Sequence, residues 1–196
     1  MIRYLLPALR ASLVTWVLCG LVYPFVVTGI GQGLLPFQAN GSLERGPNGA
    51  VVGSRLIGQQ WDGPQWFHGR PSAIAKTGPY DATNSGGSNL APASSALVER
   101  LAADRKALEL AQPELIGSAL PADMLTTSAS GLDPDISPAD AVLQVSRVAR
   151  ARGVAAEQIG ALVQQHIDAR SLGVFGETRV NVLRLNLALQ RTYPVR

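Results

Sequence analysis

The chain has 196 residues and sets 17 Lys plus Arg against 14 Asp plus Glu. Arg3 and Arg10 precede a long uncharged stretch, leaving 15 basic against 14 acidic residues beyond it, and no basic face with interleaved aromatics offers itself to nucleic acid. The single cysteine, Cys19, lies inside the apolar stretch, so the rest of the chain holds neither a disulfide scaffold nor a cysteine-ligated zinc site.

Residues 11–43 contain no Asp, Glu, Lys or Arg, and 11–31 are apolar enough to cross a bilayer. At about 1.5 Å per helical residue they span roughly the 30 Å hydrocarbon core. Basic residues before the span and none after it until Arg45 orient it, with 1–10 in the cytoplasm and 32–196 as one extracytoplasmic, periplasmic domain at the bacterial inner membrane. Trp16 and Tyr23 suit the membrane interfaces or a second helix. Pro24 breaks a backbone hydrogen bond there, which makes all three candidate contacts for partner helices. The rival reading is a cleaved signal peptide, with the same basic start and small residues at Gly29-Ile30-Gly31. The length of the run and the lack of an Ala-x-Ala favour an anchor, and both readings export the remainder of the chain.

After the span, residues 42–44 and 51–57 flank Gly46-Pro47-Asn48-Gly49, which predicts a hairpin. Residues 61–73 place Trp61, Trp66 and Phe67 among Gly and Pro, as in a structured loop. Residues 78–89 are turn-forming throughout and lead into a helix expected over 92–112, with Pro92 in its first turn and Pro113 ending it. Its apolar stripe is Leu97, Val98, Leu101 and Leu108. A helical turn at 121–125 is followed by the best-specified helix, with Ser137 as N-cap, Pro138 next, Asp140 three residues after the cap and Gly153 as the stop. Arg147, Arg150 and Arg152 read as its basic last turn. A further helix covers 156–169 and a turn 173–176. Residues 181–190 fit strand or helix, with helix favoured and Asn181 as its cap. The fold class is α+β: one membrane helix, then a helix-rich domain with a small sheet.

Ser85-Gly86-Gly87-Ser88-Asn89 ahead of a helix could offer amides to a phosphate, although no Gly-Lys-Ser follows and the nearest lysine, Lys76, is upstream. A capped glycine turn explains the same residues. His68 and His166 have no ligand-spaced neighbours, so no metal site is expected. His68, Ser85 and Asp133 make a hydrolase triad on paper only, without a Gly-x-Ser-x-Gly elbow. Asp133 and Asp135 around Pro134 read as Asx-turn residues before the Ser137 cap rather than calcium ligands. Arg70, fixed by Pro71, either closes a loop internally or presents its fork to a partner's carboxylate.

Several segments in order resemble the KdpC family, one component of the Kdp potassium-transporting ATPase: Gln38-Ala39-Asn40-Gly41-Ser42, Phe67-His68-Gly69-Arg70-Pro71-Ser72-Ala73, Ser85-Gly86-Gly87-Ser88-Asn89-Leu90-Ala91, Ser128-Ala129-Ser130-Gly131-Leu132-Asp133 with Ile136-Ser137-Pro138, and Leu185-Asn186-Leu187-Ala188-Leu189. The resemblance implies a non-catalytic accessory subunit of a P-type pump. It would work with the potassium-binding, channel-like subunit, the ATP-hydrolysing subunit and the small membrane subunit of the Kdp complex, acting as a catalytic chaperone that raises ATP affinity. It further implies ATP contact at residues 85–89, whereas the charge asymmetry puts that loop outside the cell. The chain has no Asp-Lys-Thr-Gly phosphorylation sequence and no Walker motif. The residues alone also leave open a membrane-anchored extracytoplasmic binding module or hydrolase unrelated to transport.

Overall fold

The computed structural model describes residues 2–46, 48–74 and 80–195. Pro47 of the expected hairpin turn, Lys76 and the first two residues of the 78–89 loop lie outside them. The chain divides into two compact units, Met1–Leu43 and Glu44–Arg196.

The first unit is a long helix. Leucine- and alanine-rich residues form α1 (Ile2–Val17), and α2 (Tyr23–Leu34) continues it without a gap. Between them Leu18–Val22 make a π-turn, with the Tyr23 amide donating to the Leu18 carbonyl five residues back. Pro24 accounts for this: its ring crowds the Gly20 carbonyl and it has no N–H to give, and one widened turn absorbs both. The helix over Arg3–Leu34 is about 48 Å long at helical rise and extends past both ends of the apolar 11–31 span, because the leucines around Arg3 and Arg10 are good helix formers. Leu35, held out of helical geometry at φ −134° by the proline after it, ends α2. A short turn, α3 (Pro36–Ala39), comes next. Asn40 then fastens the exit by donating to the Pro36 carbonyl at 2.6 Å and to Gln32 Oε1 at 3.0 Å.

Strand β1 (Leu43–Arg45), which starts at the last residue of the first unit, and β2 (Val51–Ser54) form the expected two-stranded sheet. A long irregular connection leads to α4 (Ser95–Ala111), which starts three residues later than Pro92 suggests. Pro92 belongs to a turn closed from Ser94 to the Ala91 carbonyl, and Ser94 becomes the N-cap. Single 3-10 turns at Pro113–Leu115 and Ala122–Met124 precede β3 (Asp135–Ile136). Helix α5 (Pro138–Arg152) begins and ends as expected, with Ser137 Oγ accepting from the Asp140 amide at 3.0 Å and Gly153 left-handed at φ 64°. The cap differs in one respect. The Asp140 carboxylate turns inward, and Asp123 takes the Ser137 amide at 2.6 Å in its place.

Helix α6 (Ala156–Gln165) is shorter than the 156–169 expected, because Ile167–Asp168 leave it as strand β4. Strand β5 (Arg179–Asn181) runs directly into α7 (Val182–Thr192), so 181–190 is helical with Asn181 as its cap, as favoured. A second sheet, β3-β5-β4, is antiparallel throughout, with Ile136 and Ile167 both opposite Val180. Its strands of two or three residues are too short to show an alternating pattern. The core gathers on α5, α6 and α7 around Phe67, Val148, Ile159, Val163, Val180, Leu185 and Leu189.

Candidate functional site

Two polar clusters organise the second unit. In the first, side chains of α5 and α7 hold the irregular connection 61–73. Phe67 is fully buried, and Asn186 supplies both partners that its backbone needs, accepting from the Phe67 amide and donating to its carbonyl at 2.9 Å each. Gln144 does the same for His68, accepting at 2.8 Å and donating at 3.1 Å, and it also donates to Asp140 Oδ1 at 2.7 Å. Arg147 donates to the Pro64 and Trp66 carbonyls, both at 2.8 Å. Arg152 donates to the Gln65 carbonyl at 2.8 Å and lies 4.5 Å above the Trp66 ring. Arg150 and Arg152 do stand in the last turn of α5, but Arg147 is buried as a clamp rather than standing as a basic surface.

Burial moves the ionisation of this cluster. Asp140 is pushed up to about 7, chiefly by loss of water, with Asp123 adding to the shift and Gln144 and Arg147 opposing it. Arg147 is brought down to about 10 by burial, partly offset by Asp140. His68 is lowered by burial and then by Arg147, and its Nε2 faces the Gly63 carbonyl at 2.9 Å. It is a packed histidine whose burial disfavours the charged form.

The second cluster joins Arg70, residues 85–89 and residues 128–135. Arg70 donates to Asp133 Oδ2 at 2.9 Å and to the Thr126 carbonyl at 3.3 Å. Of the two roles open to Arg70, the structure shows the internal one, its fork closing on Asp133 and the Thr126 carbonyl. Pro71 beside it is half-buried. Tyr80 donates to the Arg70 carbonyl at 2.6 Å, and burial together with Asp133 pushes its phenol up to about 12.

In the 85–89 loop, the Gly86 amide and Ser85 Oγ both donate to the Ser130 carbonyl, at 2.8 and 3.0 Å. A Cβ on Gly87 would come within 3.0 Å of the Ala129 carbonyl, and one on Gly131, at φ 69°, within 2.9 Å of the Gly86 carbonyl. Two chain segments approach closely here, which is what the glycines permit. The first turn of α4 lies six residues beyond Asn89, so residues 85–89 do not sit at a helix N-terminus. Ser88 and Asn89 remain exposed.

Beside this cluster a cleft of about 400 Å³ is lined by Arg70, Asp123, Asp133, Asp135, Ser137 and Arg179. Arg70 pairs with Asp133 and Arg179 with Asp135, at 2.9 and 3.1 Å, while Asp123 accepts from the Ser137 amide and hydroxyl. Asp135 is shifted up by burial and partly restored by Asn181 and Arg179. Asp133 Oδ1 accepts from the Asp135 amide, the expected Asx turn. Ser85, His68 and Asp133 each have different partners and do not assemble. Among the described residues no three His, Cys, Asp or Glu could share a metal ion.

The family model described as "K+-transporting ATPase, c chain" matches residues 5–191. The chain is 50% identical to the potassium-transporting ATPase KdpC subunit of Koribacter versatilis, over 98% of this chain and 97% of that protein. It is 51% identical to that of Rhodopseudomonas palustris, over 99% and 100%, and 52% identical to that of Caulobacter vibrioides, over 99% and 96%. The chain belongs to the KdpC family.

The segments that carry the KdpC resemblance are largely those that close the two clusters: Phe67 to Ser72, Ser85 to Gly87, Ser128 to Asp133 and Asn186. On the helix, Trp16 and Tyr23 are exposed, one on either side of the π-turn to which Pro24 gives rise. Sequence reasoning missed Asn186, Gln144 and Asp140 as functional groups. The available signal was a polar residue interrupting an apolar helix face, as Asn186 does between Leu185 and Leu189.

Proposed function

We propose that this KdpC-family chain is a non-catalytic accessory subunit of an ATP-driven potassium-import complex, anchored by one helix in the bacterial inner membrane. Its N-terminus lies in the cytoplasm and its domain in the periplasm, following Arg3 and Arg10 on one side of the apolar stretch. The observation that carries this reading is the helix Arg3–Leu34, without a single buried residue in its most apolar stretch, together with the KdpC-family match over residues 5–191. Such a helix has apolar surface to offer other membrane subunits.

Its partners are the potassium-binding subunit, the ATP-hydrolysing subunit and the small subunit of the same pump. Trp16, Tyr23 and the π-turn before Pro24 form the contact face within the bilayer. The domain caps the extracytoplasmic mouth of the potassium-binding subunit. A raised ATP affinity reaches the hydrolysing subunit through the packed helices, because residues 85–89 lie across the bilayer from cytoplasmic ATP and the Gly86 amide is already used by Ser130.

The test is a Ser88→Cys chain in whole cells with the outer barrier opened. Labelling by a membrane-impermeant thiol reagent from outside, together with co-purification of a P-type ATPase subunit, supports the reading. Labelling only after the cytoplasmic face is exposed overturns the orientation and restores nucleotide contact to residues 85–89.

A further inference from the structure

Between β4 and β5 the chain makes a projecting finger, residues 169–178, in which every residue is exposed. Its tip is apolar: Leu172 is 90% exposed, Val174 71% and Phe175 66%. Three large side chains in four positions bare to water is a concentration, where scattered exposed apolar residues would need no explanation. The tip is also held in a costly conformation. Leu172 has φ 54°, a left-handed backbone that a leucine adopts only when its surroundings impose it, and Gly173 and Gly176 both sit at 76°.

The finger is bonded within itself. Ser171 and Phe175 exchange amide and carbonyl bonds at 2.9 Å each, Gly173 donates to the Arg170 carbonyl at 3.0 Å and Val174 to the Ser171 carbonyl at 3.2 Å. Each of these amides is satisfied within the finger, so the tip can leave water without stranding them. An Arg170–Glu177 pair at 2.5 Å closes its base and cancels the local charge.

We propose that this finger is a docking element that inserts Leu172, Val174 and Phe175 into an apolar depression on the extracytoplasmic face of a polytopic subunit of the same ATPase complex. The inference rests on the accessory role argued above. Three features choose this occupant. A neutral base, with no Lys, Arg or Trp in 171–176, lacks the groups that hold a loop at a lipid headgroup layer. A ten-residue projection is far smaller than the 20 to 30 residues a side by which a free dimer is usually held. It suffices for a partner kept adjacent by the membrane helix, where tethering supplies the effective concentration. The preformed strained turn, finally, lowers the ordering cost of entering a shaped protein pocket, which a fluid lipid surface would not need.

The experiment uses the full chain in its membrane complex, with a photoreactive residue as Leu172→p-benzoylphenylalanine and two variants, Leu172→Asn and Phe175→Asp. Crosslinking to a polytopic ATPase subunit identified by mass spectrometry is expected. Each variant should weaken retention of that subunit about tenfold with unchanged helical content, the loss expected for withdrawing one large apolar side chain from a pocket. Crosslinks to lipid alone, to a second copy of this chain, or to nothing in an assembled complex overturn the proposal, as does normal retention in both variants. Failure of the unsubstituted chain to associate with any ATPase subunit is a different result and sinks the accessory role itself.

Discussion

The connections over residues 61–73 and 169–178 are both irregular, both carry three large apolar side chains and both contain glycine, yet one is folded into the domain and the other stands clear of it. Hydrophobicity does not separate Trp61, Trp66 and Phe67 from Leu172, Val174 and Phe175. The difference lies in where the backbone finds its hydrogen-bond partners. In the first connection the Phe67 and His68 backbones are completed by Asn186 and Gln144, side chains rooted in α7 and α5, and can exist dry only against those helices. In the finger the amides of Ser171, Gly173, Val174 and Phe175 all go to carbonyls of the finger itself. A loop that borrows its partners is part of the fold, and one that supplies them is free to be presented.

The comparison can be broken most forcefully at its inner end. Phe67→Ala empties a site with no exposed surface and should lower the stability of the full-length chain by about 4 kcal/mol in denaturant titration. Asn186→Ala leaves the Phe67 amide and carbonyl buried without partners and should cost about 3 kcal/mol. Should Asn186→Ala prove as mild as a surface change, the borrowed-partner account of the inner loop is wrong.

The proton on Asp140 sharpens the same contrast. Its folded value, about 7, lies above its unfolded one, so the group's contribution to stability is complete below about pH 4 and is lost as pH rises towards 7. Asp140→Asn keeps an acceptor for Gln144 and removes the titration. Unfolding measured at pH 5 and pH 8 should show a difference roughly 2 kcal/mol less unfavourable to the high-pH state than in the unsubstituted chain. An unchanged pH dependence would mean that Asp140 is ionised in the fold. A cavity of about 40 Å³ is lined by Asp140 and by Gln112, whose buried Oε1 has no hydrogen-bond partner among the described residues.

At the finger the expected effect on stability is the smallest and has the opposite sign. Leu172→Asn relieves a left-handed leucine and removes exposed apolar surface, so the isolated chain should be unchanged or up to about 1 kcal/mol more stable. A clear loss of stability would show that the tip packs on its own domain.

The elements most legible in the sequence were those specified locally. Ser137, Pro138 and Gly153 bounded α5 because capping needs only residues three or four positions away. The 156–169 helix was overextended because Ile167 and Asp168 are claimed by β5, a pairing that no local pattern announces. Arg70 left two roles open for the same reason: an arginine beside a proline looks alike whether its carboxylate is Asp133 of its own chain or one on a partner. Arg147, grouped with Arg150 and Arg152 as a basic helix end, differs from them only in facing the carbonyls of Pro64 and Trp66.

By itself the sequence determined the long apolar span, the α+β character and the capped helix over 138–152, since length, charge and capping are properties of neighbouring residues, while its motifs in order carried the family resemblance. Only the tertiary structure decided which loop is buried and which projects, where Arg70 and Arg147 spend their charges, and that Asp140 is buried with its ionisation disfavoured. Those outcomes depend on partners far away along the chain, as with Phe67 and Asn186, 119 positions apart, and the free energy of a buried hydrogen bond is set by who meets it in space.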